Sequence, residues 1–409
     1  MTGPYAAMKI RDFRLFIFAR FCITLAIQIQ AVVVGWQVYE ITKDPLSLGL
    51  IGLAEAIPSI GVSLYAGHVA DIMSRKRIIL ITVATLVFCS GSLLFFTMDA
   101  GSFLLAYGVI PIYTVIFISG IARGFITPAV FSFMPQLIPR ELYQNAITWN
   151  STLWEMASIG GPPVGGLIYG FFGITAAYSA DAALMAIGLL LVISVADRPV
   201  PPATEEQGIA EKIKAGLKFV FGNRIILSAI SLDLFAVLFG GAVALLPIFA
   251  DQILHVGKIG LGFLRSAPGI GALLTAIYLT YHPLRKHMGA ILLAAVAGFG
   301  VCMILFALSA NFWLSMGVLA ISGACDSVSV IVRGTLLQTL TPENMKGRVS
   351  AVNNIFIGSS NEIGAFESGV AARLLKVIPS VIFGGVMTLI VVAVASWKAP
   401  ELRKLQEVK

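Results

Sequence analysis

The sequence predicts an all-α integral membrane protein with twelve transmembrane helices in two pseudo-symmetric six-helix bundles. Three observations lead to this fold class: the composition, the spacing of long apolar segments and an internal repeat. Of the 409 residues, 58% are hydrophobic and 12% are charged, whereas soluble domains average about 45–50% apolar and about 25% charged residues. The composition therefore excludes an ordinary soluble domain.

Twelve segments are long and apolar enough to cross a bilayer, which requires roughly 20 mostly apolar residues. In the first half they are 15–39, 46–69, 78–98, 103–134, 143–171 and 175–196. In the second half they are 225–250, 259–281, 288–308, 312–338, 349–374 and 378–397.

Residues 197–224, between the two halves, are polar, begin with prolines and end in an amphipathic basic segment. They predict a cytoplasmic linker whose second part is a helix at the membrane surface. The predicted organisation is therefore a first bundle at 1–196, the linker at 197–224 and a second bundle at 225–409.

Basic residues gather in alternate short loops, for example Arg75–Arg77 and Arg140 on one side of the predicted membrane. The positive-inside rule then places both termini in the cytoplasm of a protein of the inner membrane. The net charge is +7, but the Lys and Arg residues do not form a basic stripe. We therefore expect lipid, and not nucleic acid, as the surrounding partner.

The two halves repeat each other. A shift of 210 residues places GLIGLAEAIPSIG (49–61) on IGLGFLRSAPGIG (259–271), and a shift of 203 residues aligns ISG (118–120) with ISG (321–323). Symmetry between six-span halves is typical of secondary transporters, which bind their substrate near the midplane.

The loop after the second span resembles a signature of the major facilitator superfamily, Gly-x-x-x-Asp-Arg-x-Gly-Arg-Arg. In GHVADIMSRKR, the residues Gly67, Asp71, Arg75 and Lys76 match this pattern. The resemblance implies a cytoplasmic gate, in which we expect Asp71 to meet the start of span 11 near Arg348, where a helix N-terminus carries partial positive charge.

Two further motifs extend the resemblance over nearly the whole chain. Arg123, in ISGIARG, is similar to the span-4 arginine of proton-coupled members, and GGPPVGG (160–166) is similar to the Gly-Pro motif of antiporters. Small residues allow close helix approach and prolines bend a helix. The residues of this helix-bending motif are Gly161, Pro162, Pro163, Gly165 and Gly166.

The sequence segments around GWQVYEIT and GLGFLRSAPGIGALL are similar to those of one branch of the superfamily, the enterobactin-exporter-like and macrolide-efflux-like permeases. This resemblance implies export of an amphipathic small molecule, a siderophore or a drug, by proton-coupled alternating access. An importer, a lipid flippase and a non-transporting membrane sensor are the alternatives.

Ionisable residues inside a span are costly and mark functional sites. The candidates for proton coupling or a charge switch are Asp233, Glu362, Glu155, Arg123, Asp326, Glu55 and Arg265. The repeat places Arg123 on Asp326 and Glu55 on Arg265, so equivalent positions carry opposite charge. Such charges are candidates for a pair that forms in one conformational state only. For each residue, a structural ion pair is the alternative.

Asp233 is the first candidate for carrying the proton, followed by Glu362 and Glu155, because burial away from a cation favours a protonated carboxyl group. The candidates for lining a substrate cavity are Gln28, Trp36, Phe235 and Phe239, with interhelical packing as the alternative.

The sequence shows no nucleophile–base pair, no phosphate-binding GxxxxGK[ST] loop and no histidine spacing suited to a metal. We therefore expect a monomeric transporter for a small molecule and protons, without a metal or a cofactor, and not an enzyme.

Overall fold

The computed structural model describes residues 3–98, 104, 106–198, 209–284, 286–342, 345–403 and 405. For residues 63, 64, 67, 68, 70–72, 209–213, 347, 351, 354, 355 and 359 it describes the backbone alone.

Twelve long helices account for most of the described chain. The first five are α1 (Arg11–Thr42), α2 (Pro45–Ile72), α3 (Arg75–Phe95), α4 (Ile110–Phe133) and α5 (Tyr143–Ile193). The next four are α6 (Ile209–Gly222), α7 (Arg224–Phe239), α8 (Gly257–Tyr281) and α9 (Met288–Leu308). The last three are α10 (Phe312–Leu340), α11 (Lys346–Leu375) and α12 (Val377–Lys398).

Ten segments of the described chain are long and apolar enough to cross a membrane. One of them, Arg140–Ile193, has 54 residues, and at about 1.5 Å per residue it is long enough to cross twice. Its helix α5 leaves helical geometry at Gly173, where φ is 85° and ψ is 176°. This break lies between the predicted spans 143–171 and 175–196.

The helix α11 covers the predicted span 349–374 but is not among the ten candidates, because its charged and polar residues lower its hydropathy. The ten candidates bear out the multi-pass membrane fold, while the count of twelve crossings stays a prediction.

The predicted span 225–250 is not one continuous helix. The helix α7 ends at Phe239, and three short helical segments follow at Ala242–Leu245, Leu246–Ile248 and Phe249–Ile253. Gly240 and Gly241 follow the helix directly, and glycine destabilises a helix interior by roughly 0.5–1 kcal/mol relative to alanine. Hydropathy alone did not reveal this interruption, because the segment is apolar throughout.

The chain forms two compact units. The first comprises Met1–Lys43, Ala54–Glu205 and Gly257–Ser266, and the second comprises Asp44–Leu53, Glu206–Val256 and Ala267–Lys409. The first turns of α2 therefore belong to the second unit, and the first turns of α8 belong to the first. The predicted bundle boundaries had assigned each of these helices to a single bundle.

The linker helix α6 belongs to the second unit, where it packs on α11. Gly216 lies against the backbone of Arg348, and Val220 forms a buried cluster with Val349 and Val352. Its apolar face is thus covered by protein in the region that the structure describes.

The repeat detected in the sequence recurs as a helix crossing in each unit. In the first unit, α4 crosses α2 where Gly120 lies against Pro58 and the Glu55 backbone. In the second unit, α10 crosses α8 where Gly323 lies against the Pro268 backbone. A side chain at either glycine would collide with its neighbour, so the small residue is what allows the close approach.

Large apolar side chains cover much of the outer surface. Among the exposed ones are Phe88, Phe131, Phe172, Tyr281, Trp313 and Trp397. Together with the long apolar helices, these side chains indicate a lipid-facing surface.

Candidate functional site

An ion pair joins α2 and α4 in the first unit. The Arg123 guanidinium donates to the carboxylate of Glu55, one helical turn after the glycine at which the two helices cross. The side chains are 20% and 23% exposed respectively. The sequence singled out both residues but did not predict that they pair with each other.

A second, fully buried carboxyl group lies in the same unit, on the part of α5 that follows Gly173. Asp181 has no exposed surface, and Gln30 Nε2 on α1 donates to its Oδ2 at 3.3 Å. One turn away, Tyr178 donates its hydroxyl to Gln37 Oε1 at 2.6 Å. Gln30 and Gln37 are seven residues apart, and therefore share one face of α1.

The end of α1 carries a charged and aromatic cluster. Tyr169 donates its hydroxyl to Glu40 Oε2 at 3.1 Å. Lys258 Nζ lies 3.9 Å from Glu40 Oε1 and 4.1 Å from the centroid of the Tyr169 ring. Lys258 therefore combines an ion pair with a cation–π contact. The cavity candidate Trp36 is buried beside this cluster, its ring centroid 6.0 Å from Lys258 Nζ.

The Gly-Pro motif packs α5 against two neighbours of the first unit. Gly161 and Gly165 lie against Gln28 and Ile29 of α1, and Gly166 lies against Gly262 of α8. Gln28 also donates to the backbone oxygen of Ser158 at 3.3 Å.

The two prolines of the motif, Pro162 and Pro163, are inside α5, whose dihedral angles remain helical until Gly173. Their backbones face Gly262 of α8. The close-approach role of the glycines is therefore seen directly, whereas the recorded departure from helical geometry lies at Gly173.

The second unit holds a buried ion pair between α7 and α10. Arg333 forms an ion pair with the carboxylate of Asp233, and their side chains are only 4% and 7% exposed. Asp233 and Asp326 both line a small cavity, together with Phe299. Because Asp326 lies seven residues before Arg333, the two residues share one face of α10.

Aromatic residues follow Asp233 along α7. Phe235 and Phe239 stack with ring centroids 6.5 Å apart, and Phe239 meets Phe383 edge-on at 6.4 Å. Phe239 also lines a second small cavity, with Ser368 and Ser380. Phe235 is among the exposed large side chains.

The remaining charge candidates are on α5, α8 and α11. Glu155 on α5 and Arg265 on α8 are half-buried. The Glu362 carboxylate on α11 lies beside Gly52. In the described chain, each unit thus brings together some of the predicted residues, while their roles stay predictions.

The residues of the predicted cytoplasmic gate are only partly described. Gly67 and Asp71 lie within α2, and the side chain of Asp71 is outside the described part of the structure. Lys76 is buried and donates to the Ile193 backbone oxygen at 3.2 Å, and its Nζ lies 3.2 Å from Asp197. Lys76 therefore fastens α3 to the end of α5.

A family model described as "Transmembrane secretion effector" matches residues 2–408. The chain belongs to this family. The resemblance to the major facilitator superfamily is thereby confirmed, and this member of the transmembrane secretion effector family is a multi-pass membrane transporter and not an enzyme.

Curated relatives match over nearly the full length. The enterobactin exporter EntS of Shigella dysenteriae serotype 1 (strain Sd197) is 25% identical over 400 residues, covering 97% of this chain and 93% of the relative. The protein of the same name from Escherichia coli O1:K1 / APEC has the same identity and coverage.

Solved structures support the fold. The POT family transporter PepTSo gives a TM-score of 0.73 at 14% identity, covering 96% of this chain and 98% of that chain. The nucleoside transporter NupG gives 0.69 at 16% identity, covering 95% and 98% respectively. At these identities the likeness shows the major facilitator fold alone.

Sequence reasoning noted Asp181 and Arg333 of this secretion effector as ionisable residues inside predicted spans, and Gln30 as a polar residue of the first span, but selected none of them for the charge switch or the substrate cavity. The spacing of Asp326 and Arg333 by two helical turns was an available signal for Arg333. Asp181 was marked only as a charge inside the predicted span 175–196. Its partners could not be predicted, because they are on other helices and its burial depends on how the helices pack.

Proposed function

We propose that the protein exports a siderophore-like small molecule from the cytoplasm and that a proton gradient drives the export. The observation that carries this proposal is the match over 97% of the chain to proteins named enterobactin exporters. The family description, transmembrane secretion effector, favours the same direction of transport.

The intramembrane charges support a coupled mechanism. Each unit has an arginine that is ion-paired with a carboxylate on a neighbouring helix. Charged groups away from water are costly and typically mark ion or proton pathways in membrane proteins. A proton that neutralises a carboxylate changes which pairs are stable, and so biases one conformational state over another.

The side chains available to an aromatic substrate differ between the units. In the second unit we propose Phe235 and Phe239 as a contact surface, since they stack and Phe235 is exposed. In the first unit we propose Gln28, which is half-buried on α1, as a polar contact. Trp36 is buried beneath Lys258 and on this proposal supports the wall without touching the substrate.

The orientation also belongs to the proposal. Basic residues of the alternate loops, including Arg75 and Lys76, would hold those loops in the cytoplasm, with both termini on that side. Gly67 and Asp71 would form the cytoplasmic gate with Arg348. We propose a monomer in the inner membrane as the functional unit.

The direct test is transport into inverted membrane vesicles or out of proteoliposomes that contain the purified protein. A pH gradient of either sign is imposed, and a panel of catecholate siderophores and amphipathic drugs is offered. We expect siderophore movement against its gradient when protons flow in the opposite direction, and its loss when an ionophore collapses the gradient.

Four results would contradict the proposal. Transport of no panel member would rule out the proposed substrate class. Transport unaffected by collapse of the pH gradient would rule out proton coupling. Movement of the siderophore in the same direction as the protons would indicate import. Lipid scrambling by the same proteoliposomes would favour a flippase.

A further inference from the structure

The first unit holds one cation and two carboxyl groups within one network. Arg123 is paired with Glu55, and Asp181 lies within electrostatic range of the Arg123 guanidinium. If both acids are ionised, the three groups carry a net charge of −1. A single proton makes the network neutral, and a neutral network is strongly favoured away from water.

Asp181 is the member of this network that is least able to hold a charge. Its side chain has no exposed surface, and Gln30 supplies its one hydrogen bond in the described structure, at 3.3 Å. Its Oδ1 is buried without a hydrogen-bond partner among the described residues. A buried ionised carboxylate normally requires several hydrogen bonds or a close cation.

The neighbour of the unpartnered oxygen is a hydroxyl group. The hydroxyl of Ser90 on α3 lies beside the Asp181 carboxyl group, and it too is buried without a partner within the described chain. The Ser90 hydroxyl can accept a hydrogen bond from a protonated Oδ1 and can donate one to an ionised Oδ1, so it can serve Asp181 in both protonation states.

The described groups that interact with Asp181 come from four helices of the first unit. They are Gln30 on α1, Cys89 and Ser90 on α3, Arg123 on α4 and Tyr178 on α5 itself. Arg123 is the one permanent cation among these described groups, and it is already engaged with Glu55.

We propose that Asp181 is the proton-binding residue of the first unit, and that Arg123 exchanges between Glu55 and Asp181 as the proton arrives and leaves. With the proton on Asp181, Arg123 pairs with Glu55, as observed. When Glu55 or the surrounding helices release Arg123, the guanidinium stabilises the Asp181 carboxylate and the proton departs to water. The assignment rests on the proposed proton-coupled transport, of which it names the carrier.

The central test is D181N, which keeps the shape of the side chain but cannot release a proton. In proteoliposomes, we expect D181N to lose export driven by a pH gradient while it retains substrate exchange across the membrane at equal pH. E141Q, which removes an exposed carboxylate before α5, is the matched control and should keep both activities. Export by D181N at the wild-type rate would overturn the proposal.

A second measurement does not depend on the substrate. Infrared spectroscopy of the purified protein should show the C=O stretch of a protonated carboxyl group at neutral pH, and D181N should lack this band. E55Q should also weaken it, because Arg123 is then left with Asp181 as its carboxylate partner. A band that survives in D181N, or that is insensitive to E55Q, would contradict the assignment.

The two measurements separate this inference from the proposed function. If the wild-type protein does not respond to a pH gradient but the infrared band is lost in D181N, proton-driven export fails and the proton site remains. If D181N does not fold, the effect of E55Q on the wild-type band decides the assignment.

Discussion

Each unit contains one ion pair and one additional acid, but the two units bury these groups differently. In the first, the pair of Arg123 and Glu55 is about one-fifth exposed, and the additional acid Asp181 is fully buried. In the second, the pair of Arg333 and Asp233 is almost fully buried, and the additional acid Asp326 borders a small cavity.

The difference in burial indicates which ion pair is structural and which can open. Removing one partner of a buried ion pair is strongly destabilising, because the other charge is left without compensation. A partly exposed pair can open at lower cost, since water solvates the separated charges. The pair on α7 and α10 is therefore suited to hold its two helices together permanently. The pair on α2 and α4 is suited to open and close during transport.

The largest expected effect is that of R333Q. It leaves the Asp233 carboxylate buried without its cation, which typically costs about 3–5 kcal/mol. The free energy of unfolding in mixed detergent micelles measures this loss. R224Q is the matched control, because the pair of Arg224 with Glu401 is highly exposed and should contribute no more than about 1 kcal/mol. Equal effects of the two substitutions would remove the distinction between the buried and exposed pairs.

Substitutions at the two equivalent helix crossings test whether both crossings contribute similarly to stability. G120A and G323A introduce a methyl group where the crossing helices touch, and we expect each to cost about 1–3 kcal/mol of unfolding free energy. G91A and G317A are the controls on α3 and α10, since nothing surrounds those positions. If either crossing variant were as stable as its control, the close contact of the two helices at that glycine would be contradicted.

Double-mutant cycles compare the two ion pairs directly. We expect the coupling energy of Glu55 with Arg123 to fall within about 0.5–3 kcal/mol, and that of Asp233 with Arg333 to exceed it because less water screens the buried pair. The cycles use glutamine or asparagine at each position, with thermal unfolding as a second readout. A stronger coupling between Glu55 and Arg123 than between Asp233 and Arg333 would contradict the assignment of the first pair as the one that opens and the second as the structural one.

The smallest expected effect is that of R373Q, which removes the partner of Asp44 at 3.7 Å. Because the Arg373 side chain is 59% exposed, the change in unfolding free energy should stay within about 1 kcal/mol. It should also diminish at high ionic strength, because salt screens exposed charges. A large, salt-independent loss would show that this pair is shielded from water.

Sequence reasoning predicted the fold class well and the site only in part. The break at Gly173 falls where hydropathy separates two spans, and the repeat predicted which positions of α2, α4, α8 and α10 correspond. The interruption after Phe239 was missed, because hydropathy does not respond to two glycines inside an apolar run. Arg123 and Glu55 were both selected, but as separate candidates.

The sequence by itself determined the apolar helices, the internal repeat and the presence of rare charges inside the spans. These properties depend on local composition and on spacing along the chain. Only the tertiary structure decided which charges are paired and which acid is left over, because Glu55 and Arg123, or Asp181 and Gln30, are far apart in sequence and meet through helix packing. The cost of a charge depends on its burial and its neighbours, and neither is encoded at a single position.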